Sequence, residues 1–153
     1  AMSPLGVEEL SEAEQERQSQ LKQQAADSQD SGNDSQALEK LTEAISIGCA
    51  TALMYSRRAE LLLRLGRPKA AVADCGAALG INPDSGKAFK IRAQARMKLK
   101  HWQAAHADFQ EGLKIDYDEG TYAVSLSVAA KMKEIQVVAT SRRVKLEDAE
   151  SGK

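Results

Sequence analysis

The side chains that could do chemistry in this chain are mostly cationic, and they cluster. Between Ala52 and Lys114 twelve Lys and Arg stand against five Asp and Glu, although the 153 residues together carry a net charge of only −1. Compensating acids lie near the start, where Glu8, Glu9, Glu12, Glu14 and Glu16 precede Arg17. A basic block of this kind selects an acidic partner and speeds its encounter, but it makes and breaks no bonds. His101 and His106 are five residues apart and do not share a helical face closely enough to hold one metal. Cys49 and Cys75 lack further ligands at metal-site spacing and are expected to be buried thiols in a reducing compartment. There is no nucleophile elbow, no phosphate-cradling glycine loop and no pair of acids in an apolar setting. Gly66-Arg67-Pro68-Lys69 reads as a turn between helices. No catalytic, cofactor-binding or metal-ligating residue is expected, and the chain does not read as an enzyme.

What positions the cations is a period of 34 residues. In Ala52–Ser85, Tyr55 stands at place 4, Ala59 at 8, Leu65-Gly66 at 14 and 15, Ala71 at 20, Ala78 at 27 and Pro83 at 32. Moving forward by 34 finds Phe89, Ala93, Trp102 (place 17), Ala105, Phe109 (place 24) and Gly112 in register. Moving back finds Leu21, Ala25, Gly32, Ala37, Leu41 (place 24) and Ala44. Small residues recur where two antiparallel helices must approach, and Gly or Pro where each helix must stop. This is the tetratricopeptide (TPR) period. The predicted fold class is all-α, a right-handed α-solenoid of three TPR helix pairs followed by a long C-terminal capping helix. Hydrophobic content of 42% with aromatics at 4% suits packing through Ala and Leu.

In order, residues 1–17 are expected to be a flexible acidic segment or a cloning remnant. The repeats occupy 18–51, 52–85 and 86–119, a capping helix 120–148 and a disordered tail 149–153. The polar run Asp27–Ser35 reads as the end of the first helix and its turn, with Asp34 or Ser35 capping the next helix. A terminal repeat has one neighbour, so the first should be the least stable. Further helices are expected at 35–47, 52–65, 68–80, 86–99 and 102–115. In the capping helix Tyr122, Leu126, Ala129, Met132, Ile135 and Ala139 form a stripe expected to cover the third repeat. No apolar run approaches the roughly 20 residues that span a bilayer. AMSPLG lacks the features of a signal peptide, and a cytoplasmic location is expected. The pattern breaks off in the last helix, as in a fragment of a longer protein.

Helical spacing places positions 2, 5, 9, 12 and 13 of each repeat, with position 6 leaning beside them, on the concave face. That face gathers Lys22, Arg57, Arg64, Lys87, Lys90 and Lys98 as charged candidates for partner binding, with Leu63 and Met97 as apolar contacts. It lacks the interleaved aromatics that stack nucleic-acid bases, so no nucleic acid is expected. A scaffold for self-assembly is a competing reading.

Residues 18–119 resemble the TPR proteins that serve as chaperone adaptors. One subgroup clamps the acidic C-terminal tails of heat-shock chaperones with Lys, Asn, Asn, Lys and Arg at five groove places. Here those places hold Lys22, Ala26, Arg57, Lys87 and Ile91. A closer likeness, carried by RRAELLLRLGRPKAAVADC, INPDS, FKIRAQA, HWQAAHADF and IDYDE, is to the Hip family of co-chaperones. That resemblance implies binding to the nucleotide-binding (ATPase) domain of the 70-kilodalton heat-shock chaperone and stabilisation of its ADP state. A tail-binding TPR clamp is the alternative. It also implies a monomeric fragment, dimerisation of the full-length protein through an N-terminal segment absent here, no cofactor and no membrane.

Overall fold

The computed structural model describes residues 9–151. Among these, seven helices follow one another and no strand occurs: α1 Glu12–Asp30, α2 Asp34–Ile47, α3 Ala52–Arg64, α4 Pro68–Ile81, α5 Gly86–Lys98, α6 Trp102–Ile115 and α7 Glu119–Glu150. No described helix is long and apolar enough to cross a membrane. The expected N-terminal segment lies outside the described residues for 1–8, and the tail for 152–153.

Helix α1 begins six residues before the first repeat's expected start. The cause is a capping box: Ser11 Oγ accepts from the Glu14 amide at 3.1 Å, and Glu14 Oε1 accepts from the Ser11 amide at 2.9 Å. Glu12 and Glu14 therefore sit in a helical first turn, where the dipole favours acids. The Ser11 N–H lowers the Glu14 carboxyl from its ordinary value. The polar run after α1 closes tightly through Gly32, whose φ of +80° is open to glycine at no steric cost. Asn33, not Asp34 or Ser35, caps α2, accepting from the Gln36 amide at 3.1 Å. Pro68 opens α4, where its missing N–H is no loss, and Ser85 Oγ accepts from the Ala88 amide at 3.2 Å at the head of α5.

The repeat register is visible as burial. Place 8 (Ala25, Ala59, Ala93) and place 20 (Ala37, Ala71, Ala105) are buried, as are Ala44 and Ala78 at place 27. Place 27 of the third repeat must be glycine. A Cβ on Gly112 would lie 2.8 Å from Lys90 Cγ and 3.4 Å from the Gly86 carbonyl. Cys75 is fully buried, and burial pushes its thiol up to about 12. Cys49, expected to be buried too, is exposed just after the end of α2 with φ +49°.

Between the helices of the second and third pairs runs a polar brace. Arg58 Nε and Nη2 donate to the two Asp74 oxygens at 2.7 and 2.8 Å, with the guanidinium over the Tyr55 ring. One period later Arg92 donates to both Asp108 oxygens at 2.9 Å and lies over Phe89. Arg96 adds a third donor to Asp108 at 2.7 Å. Both acids are buried, and bidentate pairing satisfies them. The carboxylates hold the Arg58 and Arg92 guanidiniums above their ordinary pKa.

Helix α7 covers the third pair through only part of the expected stripe, Ala129 and Met132, with the deepest contacts made by Ser125 and Val128 beside it. Ser125 and Val128 are buried and Met132 packs beside Phe109 and Ala93, whereas Tyr122 and Leu126 are exposed. The seam takes the polar Ser125 because its hydroxyl is satisfied locally, donating to the Tyr122 carbonyl at 2.8 Å. The helix continues through the charged 141–148 stretch to Glu150.

Candidate functional site

The concave side is built from α1, α3 and α5, and a cavity of about 290 Å³ opens there. Lys22 of α1, Arg57 of α3 and Lys87 at the start of α5 line it together. Ala26 lines the same cavity, Leu61 and Ala25 form part of its apolar lining, and Gln29 and Asp30 close the α1 end. The one-turn position of Lys87 on α5 and the mid-helix positions of Lys22 and Arg57 place three cations around one recess. Glu60 also lines it, and its carboxylate lies 3.8 Å from Lys87 Nζ. Both side chains of that pair are substantially exposed, so the contact is weak and exchangeable. Lys22 and Arg57 have no ion-pair partner among the described residues. The recess therefore presents two uncommitted cations and one loosely held cation to an incoming anion.

The remaining sequence-predicted positions do different work. Leu63 is buried at 8% exposure in a core cluster with Ala59, Leu62, Ala71, Cys75, Ile91 and Ala95, so it is no groove contact. Three consecutive leucines span more than half a helical turn, and spacing alone does not say which one faces the groove. Met97 is half-buried against the Ala93–Phe109–Val128 cluster, covered from the α7 side, and is likewise no free apolar contact. Lys90 Nζ donates to the Asp116 carbonyl and to Asp118 Oδ2 at 2.8 Å, tying α5 to the α6–α7 junction. That contact holds the Asp118 carboxyl down at about 2, with the Thr121 amide as a second donor. Lys90 is therefore a structural cation, and its assignment to the groove is corrected. Arg64 Nε lies 3.3 Å from Asp34 Oδ2, joining α3 to the head of α2 outside the cavity. Lys98 is exposed, outside the cavity and without a described ion pair.

Two kinds of residue escaped the sequence reading. Gln29 and Asp30 line the recess because α1 runs to residue 30, beyond the point where apolar rhythm fades. The Arg–Asp braces left a readable signal, Arg at place 7 and Asp at place 23 of two consecutive repeats. His106 Nε2 and Gln110 Nε2 lie 3.3 Å apart on the outer side of α6, and His101 stands at its N-cap.

No family model matches the chain. It is similar to a 58 kDa phosphoprotein of Plasmodium berghei, 42% identical over 134 residues that cover 88% of this chain and 32% of that protein. It is also similar to Hsc70-interacting protein 1 of Drosophila melanogaster, 31% identical over 135 residues, covering 87% of this chain and 36% of the relative. The chain thus spans about a third of the length of these relatives. Among solved structures it is similar to the Arabidopsis OM64 TPR domain, with a TM-score of 0.72, 28% identity and coverage of 78% of this chain and 98% of that one. Three helix pairs in 34-residue register, small residues buried at places 8, 20 and 27, and this likeness establish that the chain is a tetratricopeptide-repeat domain.

Proposed function

We propose that this domain is the chaperone-binding module of a co-chaperone, and that it binds the nucleotide-binding domain of a 70-kilodalton heat-shock chaperone and favours its ADP state. The observation that carries the reading is the gathering of Lys22, Arg57 and Lys87 around one concave recess. The similarity to an Hsc70-interacting protein supports the choice of partner. A rigid basic face that touches an acidic surface on both lobes of a nucleotide-binding domain binds the closed state better than the open one. Differential affinity of that kind shifts the population toward nucleotide retention without any chemical step.

The alternative partner is the acidic C-terminal tail of a heat-shock chaperone. Against it stand Ala26, which has no hydrogen-bonding group, and Ile91, which is buried at 6% exposure. Two of the five places that a tail clamp uses thus offer the peptide no polar contact, and Arg57 replaces a directional amide. Titration calorimetry with the ADP-loaded nucleotide-binding domain and, separately, with the acidic tail peptide decides between them. Binding to the domain alone is expected. Heat from the peptide alone would mean that the three cations suffice for a clamp, and silence from both would remove the chaperone from the reading.

A further inference from the structure

Helix α7 leaves the repeats at a corner. It runs back along α6, with Val128 against Phe109 and Met132 beside Trp102, and from Lys133 onward every described residue is exposed. Because α6 begins at Trp102, it offers the rest of α7 no further surface. In that corner an open hollow of about 360 Å³ lies between Trp102 and Gln103 of α6 and Met132, Ile135 and Gln136 of α7. This is the low end of the roughly 300–1,000 Å³ typical of sites that hold a small molecule, with room for one or two apolar side chains.

The floor of the hollow is apolar and its edges are not. Trp102 and Met132 are half-buried, and Ile135 is 45% exposed. The indole N–H of Trp102 and the side-chain amides of Gln103 and Gln136 have no hydrogen-bond partner among the described residues. Lys98, Lys100 and His101 lead into Trp102, and Lys131 and Lys133 flank Met132. Residues 98–103 and 131–136 hold one acid, Glu134, whose carboxylate lies 3.8 Å from Lys131. Lys98, Lys100 and Lys133 have no ion pair among the described residues. An apolar recess ringed by uncommitted cations matches an acidic chain that carries an apolar side chain: the anchor fills the recess and the carboxylates meet the rim.

We propose that this corner docks an acidic segment of a protein partner through one or two apolar anchor residues. Trp102 and Met132 already pack on the Ala93–Phe109–Val128 cluster, so an anchor seated between them extends an existing apolar contact. It also covers Ile135, and a helix standing alone past its last neighbour gains stability from such cover. Two copies of the chain placed corner to corner would set these cations against one another, so the occupant is not a second copy. The site shares no residue with the concave recess, and it does not depend on the partner proposed for that recess.

Trp102 is the only tryptophan in the chain, so its fluorescence reads the hollow directly. The probe is a ten-residue peptide of Asp and Glu with a central Leu-Phe pair, titrated to the millimolar. A saturable shift in Trp102 emission is expected, with affinity falling as salt is raised. Replacing Leu-Phe by Ser-Ser in the peptide, or introducing Ile135→Asp in the protein, should lower affinity about tenfold. Lys100→Gly with Lys133→Ala should do the same, and glycine suits the φ of +61° at position 100, so the turn is kept. Circular dichroism checks that each variant retains its helices. A probe that leaves the emission unchanged at millimolar concentration overturns the proposal, as does a Lys-rich peptide with the same Leu-Phe pair that binds equally well. Emission that changes with protein concentration alone would put a second copy in the hollow and overturn it too.

Discussion

The second and third repeats are held together differently from the first. Each of the former carries an aromatic at place 4, an arginine at place 7 stacked on it, and a buried aspartate at place 23 that binds the arginine through two hydrogen bonds. The first repeat has Leu21, Gln24 and Lys40 at those places and makes no such brace. Its cohesion comes from apolar clusters shared with the next repeat, Leu21 and Ala44 against Met54, and Ala25, Ala37 and Leu41 against Leu61. Gln18 supplies a polar clasp, donating to the Ala44 and Gly48 carbonyls at 3.0 and 2.8 Å, and beside it the exposed Arg17 and Glu43 side chains pair loosely at 3.6 Å. The lesson is one of direction. Two repeats carry their own polar lock, and the terminal one leans on its neighbour, as one-dimensional repeat energetics leads one to expect.

The sharpest way to break that contrast is to remove a brace. Asp108→Ala strands both Arg92 and Arg96 in a half-buried site and should cost about 3–5 kcal/mol in urea unfolding. Asp74→Ala strands only Arg58 and should fall at the lower end, about 3 kcal/mol. Grafting the brace onto the first repeat with Gln24→Arg and Lys40→Asp should stabilise it by roughly 1 kcal/mol, read as slower hydrogen exchange in α1 and α2. Single changes should give less than the pair, and a double-mutant cycle measures the coupling. Gln18→Ala removes the clasp and should cost about 1 kcal/mol, with the loss confined to α1 and α2.

The smallest effect concerns the junction after the third repeat. The Asp118 carboxyl is held at about 2 against an ordinary 3.8, chiefly by Lys90. A carboxyl depressed in the folded state adds stability that is complete above its unfolded value and disappears as the pH falls through the folded one. The Lys90 tether should therefore weaken between about pH 4 and pH 2. Asp118→Asn, which keeps an N-cap acceptor, should flatten the stability profile in that window by lowering stability at neutral pH and leaving the acid end nearly unchanged.

The period of small residues made the helix pairs legible, because a position buried between two closely packed helices admits only a small side chain. Place 8 and place 20 are alanine in all three repeats and buried in all three. The site was less legible. A leucine triplet at 61–63 carries no phase, and all three side chains are buried. Lys90 looked like a groove cation, but which way a lysine reaches depends on acids 26 and 28 residues downstream that helical spacing does not bring into view. The α7 seam was legible only in part because its apolar residues lie on two sides of the helix, and the buried side contains a serine.

These placements change which variants inform about binding. Lys90→Glu would break the α5–α7 tether and confuse stability with affinity, whereas Arg57 and Lys87 are exposed at the recess. The measurement that tests the account most directly is titration of the ADP-loaded nucleotide-binding domain with the wild-type chain and with Arg57→Glu/Lys87→Glu, at low and moderate salt. The account predicts at least a tenfold loss of affinity in the variant at unchanged thermal stability, and a shallower salt dependence than wild type. Equal affinity and equal salt dependence in the two proteins would contradict it, and the concave recess would not be where the partner binds.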